Sequence, residues 1–324
     1  MPEKKQKLKL NIFLTSDLIN KLKTKYKPST VTTIQRNLKS IFLNAFDQDK
    51  FNINKLIKDH KEIIKYLRIQ PLTRQTTLLF AIKTVLDLDE KKSYENFSPY
   101  VELHREIWEK KKERDKFTPP SKKEIEKSKC FDMKEIKEQA DIELSKWLND
   151  KENIKQYEKM MITQFLEYIP PLRAQDYTNI KILDDEPEEL INHINLSTGD
   201  MVFYDYKTNK YYGKREIELP EDLVLLIAEA KDIFELNWLF PKLYKRDQSQ
   251  SSLGITDLIQ KTFNNPDIGT QYLRKCYISY LIDKGTNPKE LSEIAHIMAH
   301  SIPTQINTYS SLSKKMHKEY FDDE

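Results

Sequence analysis

Apolar residues in this chain recur mostly at three- and four-residue steps, the period of a helix with one buried face. Val31, Ile34, Leu38, Ile41, Phe42 and Phe46 follow that rule after Pro28-Ser29, which predicts a helix starting at Pro28. Thr15-Ser16-Asp17 opens a shorter one carrying Leu18, Ile19 and Leu22. Leu78, Leu79, Ile82 and Val85 mark another over residues 73–86, and a heavily charged helix is predicted over 100–117. Thr118-Pro119-Pro120-Ser121 then breaks helix, because proline lacks a backbone donor and disfavours helix in the residue before it. Helices over 133–148 and 152–168 follow, the second striped by Tyr157, Met160, Met161, Phe165 and Tyr168.

The period then changes to two. Ile194 and Leu196 lead into the turn cluster Ser197-Thr198-Gly199-Asp200, and Val202, Tyr204 and Tyr206 alternate up to a polar tip. Ile217 and Leu219 alternate beyond it as far as Pro220. Residues 221–234, 255–264, 271–283, 288–299 and 303–310 are the remaining helix candidates. The pattern predicts a mainly α fold: a small helical N-terminal domain over 1–120, then an α-rich domain over 121–324 holding a small antiparallel β-sheet.

Charge sharpens that boundary. Residues 1–120 carry 26 Lys and Arg against 15 Asp and Glu, a net of +11, while the remainder carries −8. Such asymmetry suits an N-terminal domain that meets a polyanion. Thr32, Thr33, Arg36 and Lys39 share the polar face of the Pro28 helix, and all four can bond phosphate oxygens. No run approaches 18 consecutive apolar residues, and no apolar signal core follows the basic first residues, so neither a membrane span nor secretion is expected. Cys130 and Cys276 stand far apart with no C-x-x-C partner, which fits the cytoplasm or nucleus.

Cofactor chemistry finds little support. Five scattered glycines form neither a phosphate loop nor a dinucleotide fingerprint. The acidic run Asp184-Asp185-Glu186 with Glu188-Glu189 suits loop solvation more than Mg²⁺ binding. His296 and His300, four apart, can share a helix face as metal ligands, but no Glu adjoins His296 as an H-E-x-x-H motif needs. The expectation is no metal and no cofactor.

The chemistry lies late in the chain. Arg173, Lys207, Arg274, His300 and Tyr309 occur in that order, with Tyr309 nine positions after His300. These are the residue types needed to cut and rejoin a phosphodiester without metal. A phenol can attack phosphorus, and two guanidiniums can grip the non-bridging oxygens bidentately as negative charge gathers there. His300 can add another hydrogen bond. A covalent intermediate conserves the bond energy, so ATP is not needed.

On these residues the chain resembles the tyrosine recombinase (phage integrase) family. Leu172-Arg173-Ala174-Gln175-Asp176 looks like that family's first box, and Tyr272-Leu273-Arg274-Lys275 with the helix to Gly285 looks like its second. Ala299-His300-Ser301 through Thr304-Gln305-Ile306-Asn307-Thr308-Tyr309 is similar to the closing motif. Tyr206-Lys207-Thr208-Asn209-Lys210 matches the β-hairpin lysine, and Trp238-Leu239-Phe240-Pro241 a strut between boxes. The motifs span residues 165–312. The resemblance implies a core-binding domain before a catalytic one, both clamping double-stranded DNA. It also implies a homo-tetramer on DNA, a 3′-phosphotyrosine on Tyr309, and a four-way junction. Lys207 is thereby assigned the proton for the departing 5′ oxygen, with Lys210 or Lys214 as substitutes.

Two positions depart from the family pattern. Gln271 stands where His is usual, three before Arg274; an amide can donate to a phosphate oxygen but cannot shuttle protons. Ala299 replaces the usual Gly. The expected function is a site-specific recombinase or integrase of a mobile element or virus. A type IB topoisomerase-like enzyme and a catalytically silent DNA-binding relative are the alternatives. The tail positions Leu312, Met316, Tyr320 and Phe321 are spaced like one helix face, for a neighbouring subunit or for their own domain.

Overall fold

The computed structural model describes residues 14–48, 50–88, 98–116, 132–244 and 248–316, with positions 120, 122, 125, 126 and 318. Cys130, Phe117, Tyr320 and Phe321 lie outside them. The fold is mainly helical with one four-stranded sheet, and the chain divides into two compact units, Met1–Thr118 and Pro119–Glu324.

Among the described residues the first unit holds α1 (Ser16–Lys25), α2 (Pro28–Phe46), α3 (Ile53–Lys58), α4 (His60–Arg68), α5 (Leu72–Leu86) and α6 (Ser98–Lys116). The Thr15 side chain caps α1 by accepting from the Leu18 amide. Proline begins α2, in the first turn, where its missing donor costs nothing. Val31, Ile34, Leu38, Ile41 and Phe42 from α2 are buried against Leu78, Leu79, Ile82 and Val85 of α5. Two further helices, α3 and α4, are fixed to the same core by Leu56, Ile63 and Leu67; α3 is too short to display a period, whereas α4 carries one in Ile63 and Leu67, four apart.

In the second unit, Asp132 and Glu135 form a capping box that starts α7 (Met133–Asn149). α7 packs on α8 (Ile154–Tyr168), where Tyr157, Met160, Met161 and Phe165 are buried. Tyr168, the last residue of the helix, departs from its predicted stripe and stands exposed. A short 3-10 turn, Ala174–Tyr177, precedes β1 (Lys181–Leu183).

The sheet continues as β2 (His193–Asn195), β3 (Asp200–Phe203) and β4 (Arg215–Glu218), paired in that order. β2, β3 and β4 are antiparallel, but β1 runs parallel to β2, so the sheet is mixed. The strand predicted through Tyr206 stops at Phe203. Asn192 Oδ1 accepts the amides of Tyr204 and Asp205, and its Nδ2 donates to the Asp205 carbonyl. That one side chain replaces the ladder and turns the backbone away. A four-residue helix, α9 (Asn209–Tyr212), fills the connection to β4.

The rest is α10 (Glu221–Phe234), α11 (Pro241–Tyr244), α12 (Gln248–Thr262), α13 (Thr270–Lys284), α14 (Pro288–Ile297) and α15 (Ile302–Thr304), the last running into a π turn, Gln305–Tyr309. The 238–241 segment braces the sheet: the Leu239 amide donates to the Ile180 carbonyl, and the Tyr157 hydroxyl donates to the Leu239 carbonyl. No described helix is long and apolar enough to cross a membrane.

Candidate active site

The predicted helix over 288–299 ends two residues early, and the way it ends builds the site. Ala299 adopts a left-handed φ of 52°. Its amide donates to the His296 carbonyl, and the His300 amide donates to the Ala295 carbonyl. This is a Schellman closure, whose left-handed residue is normally Gly because a Cβ is strained there. His296 and His300 therefore do not share a helix face. His296 remains exposed on α14, while His300 turns inward and is 5% exposed.

Three carbonyls at this helix end, those of Ile297, Met298 and Ala299, are taken by three different arginines. Arg215 donates to Ile297 O at 2.9 Å, Arg274 to Met298 O at 2.9 Å, and Arg173 to Ala299 O at 2.8 Å. Cations belong at the negative end of a helix dipole, and here they also satisfy acceptors that the helix leaves open.

Arg274 comes from the first turns of α13 and is fully buried. It also donates to Pro171 O at 3.0 Å and to His300 Nδ1 at 2.8 Å, leaving its buried Nε–H without a partner. Burial lowers its pKa, although a guanidinium so perturbed still carries its charge. Arg173, half-buried, precedes the 3-10 turn and also faces Thr208 Oγ1 at 3.5 Å.

Tyr309 lies beside both cation and imidazole. Its ring stacks on His300 with centroids 4.8 Å apart, and the Arg274 guanidinium carbon sits 4.7 Å from the ring centre. Its hydroxyl donates to Gln271 Oε1 at 3.1 Å. Ile278, Leu281, Ile294 and Met298 enclose it in a small apolar cluster. α13 also anchors the backbone beyond it: Ser279 Oγ donates to Tyr309 O, and Asp283 accepts the amides of Lys314 and Lys315.

Because arginine can only donate, His300 Nδ1 is an acceptor and the ring proton sits on Nε2, which donates to Gln305 Oε1 at 2.9 Å. Burial, opposed by the Gln305 bond and helped by the charges of Arg274 and Arg173, lowers the His300 pKa to about 4. The ring is neutral at pH 7.

Asp176 does not pair with Arg173, its neighbour in sequence. It pairs with Arg215 at 3.3 Å, both side chains being fully buried. Arg215 was not among the residues singled out by sequence, yet it stands two positions before Ile217 and thus in the inward row of β4. Gln305, which accepts the His300 Nε2–H, gave no such signal.

Lys207 is exposed in the β3–β4 connection. Its neighbour Thr208 donates to Ala299 O at 3.1 Å, which ties that connection to the Schellman turn. Lys214 is engaged with Glu216 at 2.5 Å, whereas Lys207 and Lys210 make no ion pair among the described residues. The acidic run is dispersed, with Asp184 on Lys231 and Glu186 facing His193. Among the described residues no cluster of three or more His, Cys, Asp or Glu could hold a metal ion. Cys276 is buried in the core.

In the first unit, Thr33 and Arg36 are exposed, and Thr32 and Lys39 are half-buried. The hydroxyls of Thr32 and Thr33 donate to the carbonyls of Pro28 and Ser29, so they offer a phosphate no proton while those bonds last.

No family model matches this sequence, and no curated protein does. Among solved structures the chain is similar to the crystal structure of XerA recombinase, with a TM-score of 0.37 and 15% identity over 94% of this chain and 98% of that one.

The chemical capacity of the site follows from its charges. Arg173, Arg215 and Arg274 contribute three positive charges, Asp176 one negative charge, and neutral His300 none. The excess of two positive charges, with an unpartnered Arg274 Nε–H and a phenol at contact distance, suits a phosphate diester.

Proposed function

We propose that this chain cleaves and rejoins DNA strands as a tyrosine-type site-specific recombinase or integrase. The observation that carries this reading is the meeting of Arg173, Arg274, His300, Gln271 and Tyr309 on one helix end, although 136 positions separate the first from the last.

In this reading the Tyr309 oxygen bonds to phosphorus as the bond to the 5′ oxygen breaks. Arg173, and Arg274 once the Tyr309 ring has moved off the buried guanidinium it covers, hold the non-bridging oxygens, each preorganised donor lowering the barrier by about 3–4 kcal/mol. The His300 Nε2–H, now on Gln305, is the next donor available to those oxygens. Lys207 protonates the departing 5′ oxygen, and the reverse sequence reseals the strand. The Tyr309 proton leaves toward solvent past exposed Gln271, whose amide oxygen accepts the hydrogen bond but does not take up the proton. Arg36 and Lys39 of the first unit contact duplex phosphates.

The test is covalent trapping on a pool of nicked duplex oligonucleotides of randomised sequence. The native chain should yield a detergent-resistant adduct that the Tyr309→Phe variant lacks. An adduct of equal yield in the Phe variant would remove Tyr309 from its role. Absence of any adduct, with duplex binding intact, would leave a silent DNA-binding protein.

A further inference from the structure

We infer that Arg215, held by Asp176, is a positioning residue that sets the turn from which His300 is aimed and on which Arg173 and Arg274 are seated. It occupies the first of the three carbonyls at the end of α14, and the two site arginines occupy the next two. Its guanidinium also lies against the rings of Phe203 and Tyr206, at 4.1 and 4.5 Å. Asp176 belongs to the 3-10 turn that begins directly after Arg173. One side chain thus joins the Arg173 turn, the β3–β4 pair and the end of α14.

A purely structural role accounts poorly for this choice of residue. A buried ion pair is a costly way to hold a core, and apolar side chains of similar volume often do as well or better. The pair is also incompletely satisfied: Arg215 Nε and Asp176 Oδ1 have no partners. What Arg215 supplies that an apolar residue cannot is a directed donor to Ile297 O. That donor holds a turn whose next-but-one residue, Ala299, is in a conformation costing roughly 1–2 kcal/mol without glycine. Release of the turn moves the His300 ring, whose tautomer depends on Arg274 lying within hydrogen-bond reach.

The kinetic consequence rests on the strand-cleavage reading, but the geometric one does not. The full chain carrying Arg215→Lys keeps the charge opposite Asp176 and loses the fork that reaches Ile297 O; Asp176→Asn keeps the fork and loses its charge partner. Both are followed by ¹⁵N NMR of the His300 ring, by single-turnover adduct formation on the nicked pool at saturating protein, and by duplex affinity. The Lys variant should bind duplex with unchanged affinity and form adduct about 100-fold more slowly, the scale expected of a misplaced site. Its His300 should lose the fixed Nε2–H signature, and the Asn variant should shift in the same direction. Native-like ring signals and rates in both variants would overturn the proposal. If the native chain forms no adduct, strand cleavage fails separately, and unchanged His300 signals in the variants still overturn the positioning role. A Lys variant that does not fold leaves the decision to Asp176→Asn by the same two readouts.

Discussion

Arg274 directs an N–H at Nδ1 of His300 across 2.8 Å, and this contact fixes the imidazole as the neutral Nε2–H tautomer. Protonating Nδ1 would set two cations face to face inside the protein. The folded pKa of about 4 lies below the ordinary 6.5, so the unfolded chain binds the extra proton first as pH falls. His300 therefore contributes stability that is fully present above pH 6.5 and is lost as pH falls through 4. The size is on the order of 3–4 kcal/mol, since each pKa unit is worth about 1.4 kcal/mol. NMR titration should place the His300 midpoint near 4. Thermal melts should lose stability between pH 6.5 and 4, and a His300→Gln variant should show a shallower slope. A midpoint at 6.5 would contradict the buried contact.

The Tyr309 hydroxyl bonds to Gln271, which is exposed, so the two residues separate chemistry from folding. Tyr309→Phe removes one hydrogen bond to a solvated partner and should cost no more than about 1 kcal/mol. Its adduct yield should nevertheless fall to zero. Gln271→Ala should leave stability within about 0.5 kcal/mol and slow adduct formation about tenfold, as expected for loss of one orienting bond. Melting curves beside single-turnover rates check both; an unslowed Ala variant would make Gln271 a bystander.

Ala299 concentrates the strain of the site. At φ 52° a β-branched side chain is excluded, and the residue is fully buried beside three capped carbonyls. Ala299→Val should destabilise the chain by more than about 2 kcal/mol and disturb the His300 ring. Ala299→Gly should be tolerated within about 1 kcal/mol, because relief of the left-handed strain is offset by a lost methyl and a more flexible unfolded chain. Urea melts of the two variants measure the difference, and a Val variant as stable as the Gly variant would refute the assignment.

The helices were legible wherever a long amphipathic period had room to repeat, as in α2 from Val31 to Phe42. The six residues of α3 give the period no room to repeat, whereas Ile63 and Leu67, four apart and buried, make α4 legible. The end of the strand at Phe203 was hidden for another reason: it depends on Asn192, a side chain from a different segment. In the site, order and spacing singled out Arg173, Arg274, His300 and Tyr309, which meet, and Lys207, which makes no hydrogen bond or ion pair to them among the described residues, but not the scaffold that brings the four together. Arg215 was readable from the alternation with Ile217. The left-handed turn at Ala299 was not readable from alanine itself, although the Gly usual at that position of the resembled motif points to one.

Binding by the first unit can be tested through salt alone. α2 presents Arg36 and Lys39 with no ion pair among the described residues, whereas the Thr32 and Thr33 hydroxyls are turned back onto their own helix. If the two cations neutralise phosphates, each releases condensed counterions on binding. Replacing either with Ala should then weaken duplex affinity and reduce the slope of log affinity against log salt by about 1. The double variant should reduce it by about 2, with the loss shared across duplex sequences because phosphate contacts read none. Thr32→Val and Thr33→Val should change the slope little, since neither hydroxyl proton faces outward. Titrations of fluorescent duplexes from 50 to 200 mM salt, on the order of the range where such slopes are steep, provide the measurement. Native slopes in the Arg36 and Lys39 variants would move the DNA contact off this helix face.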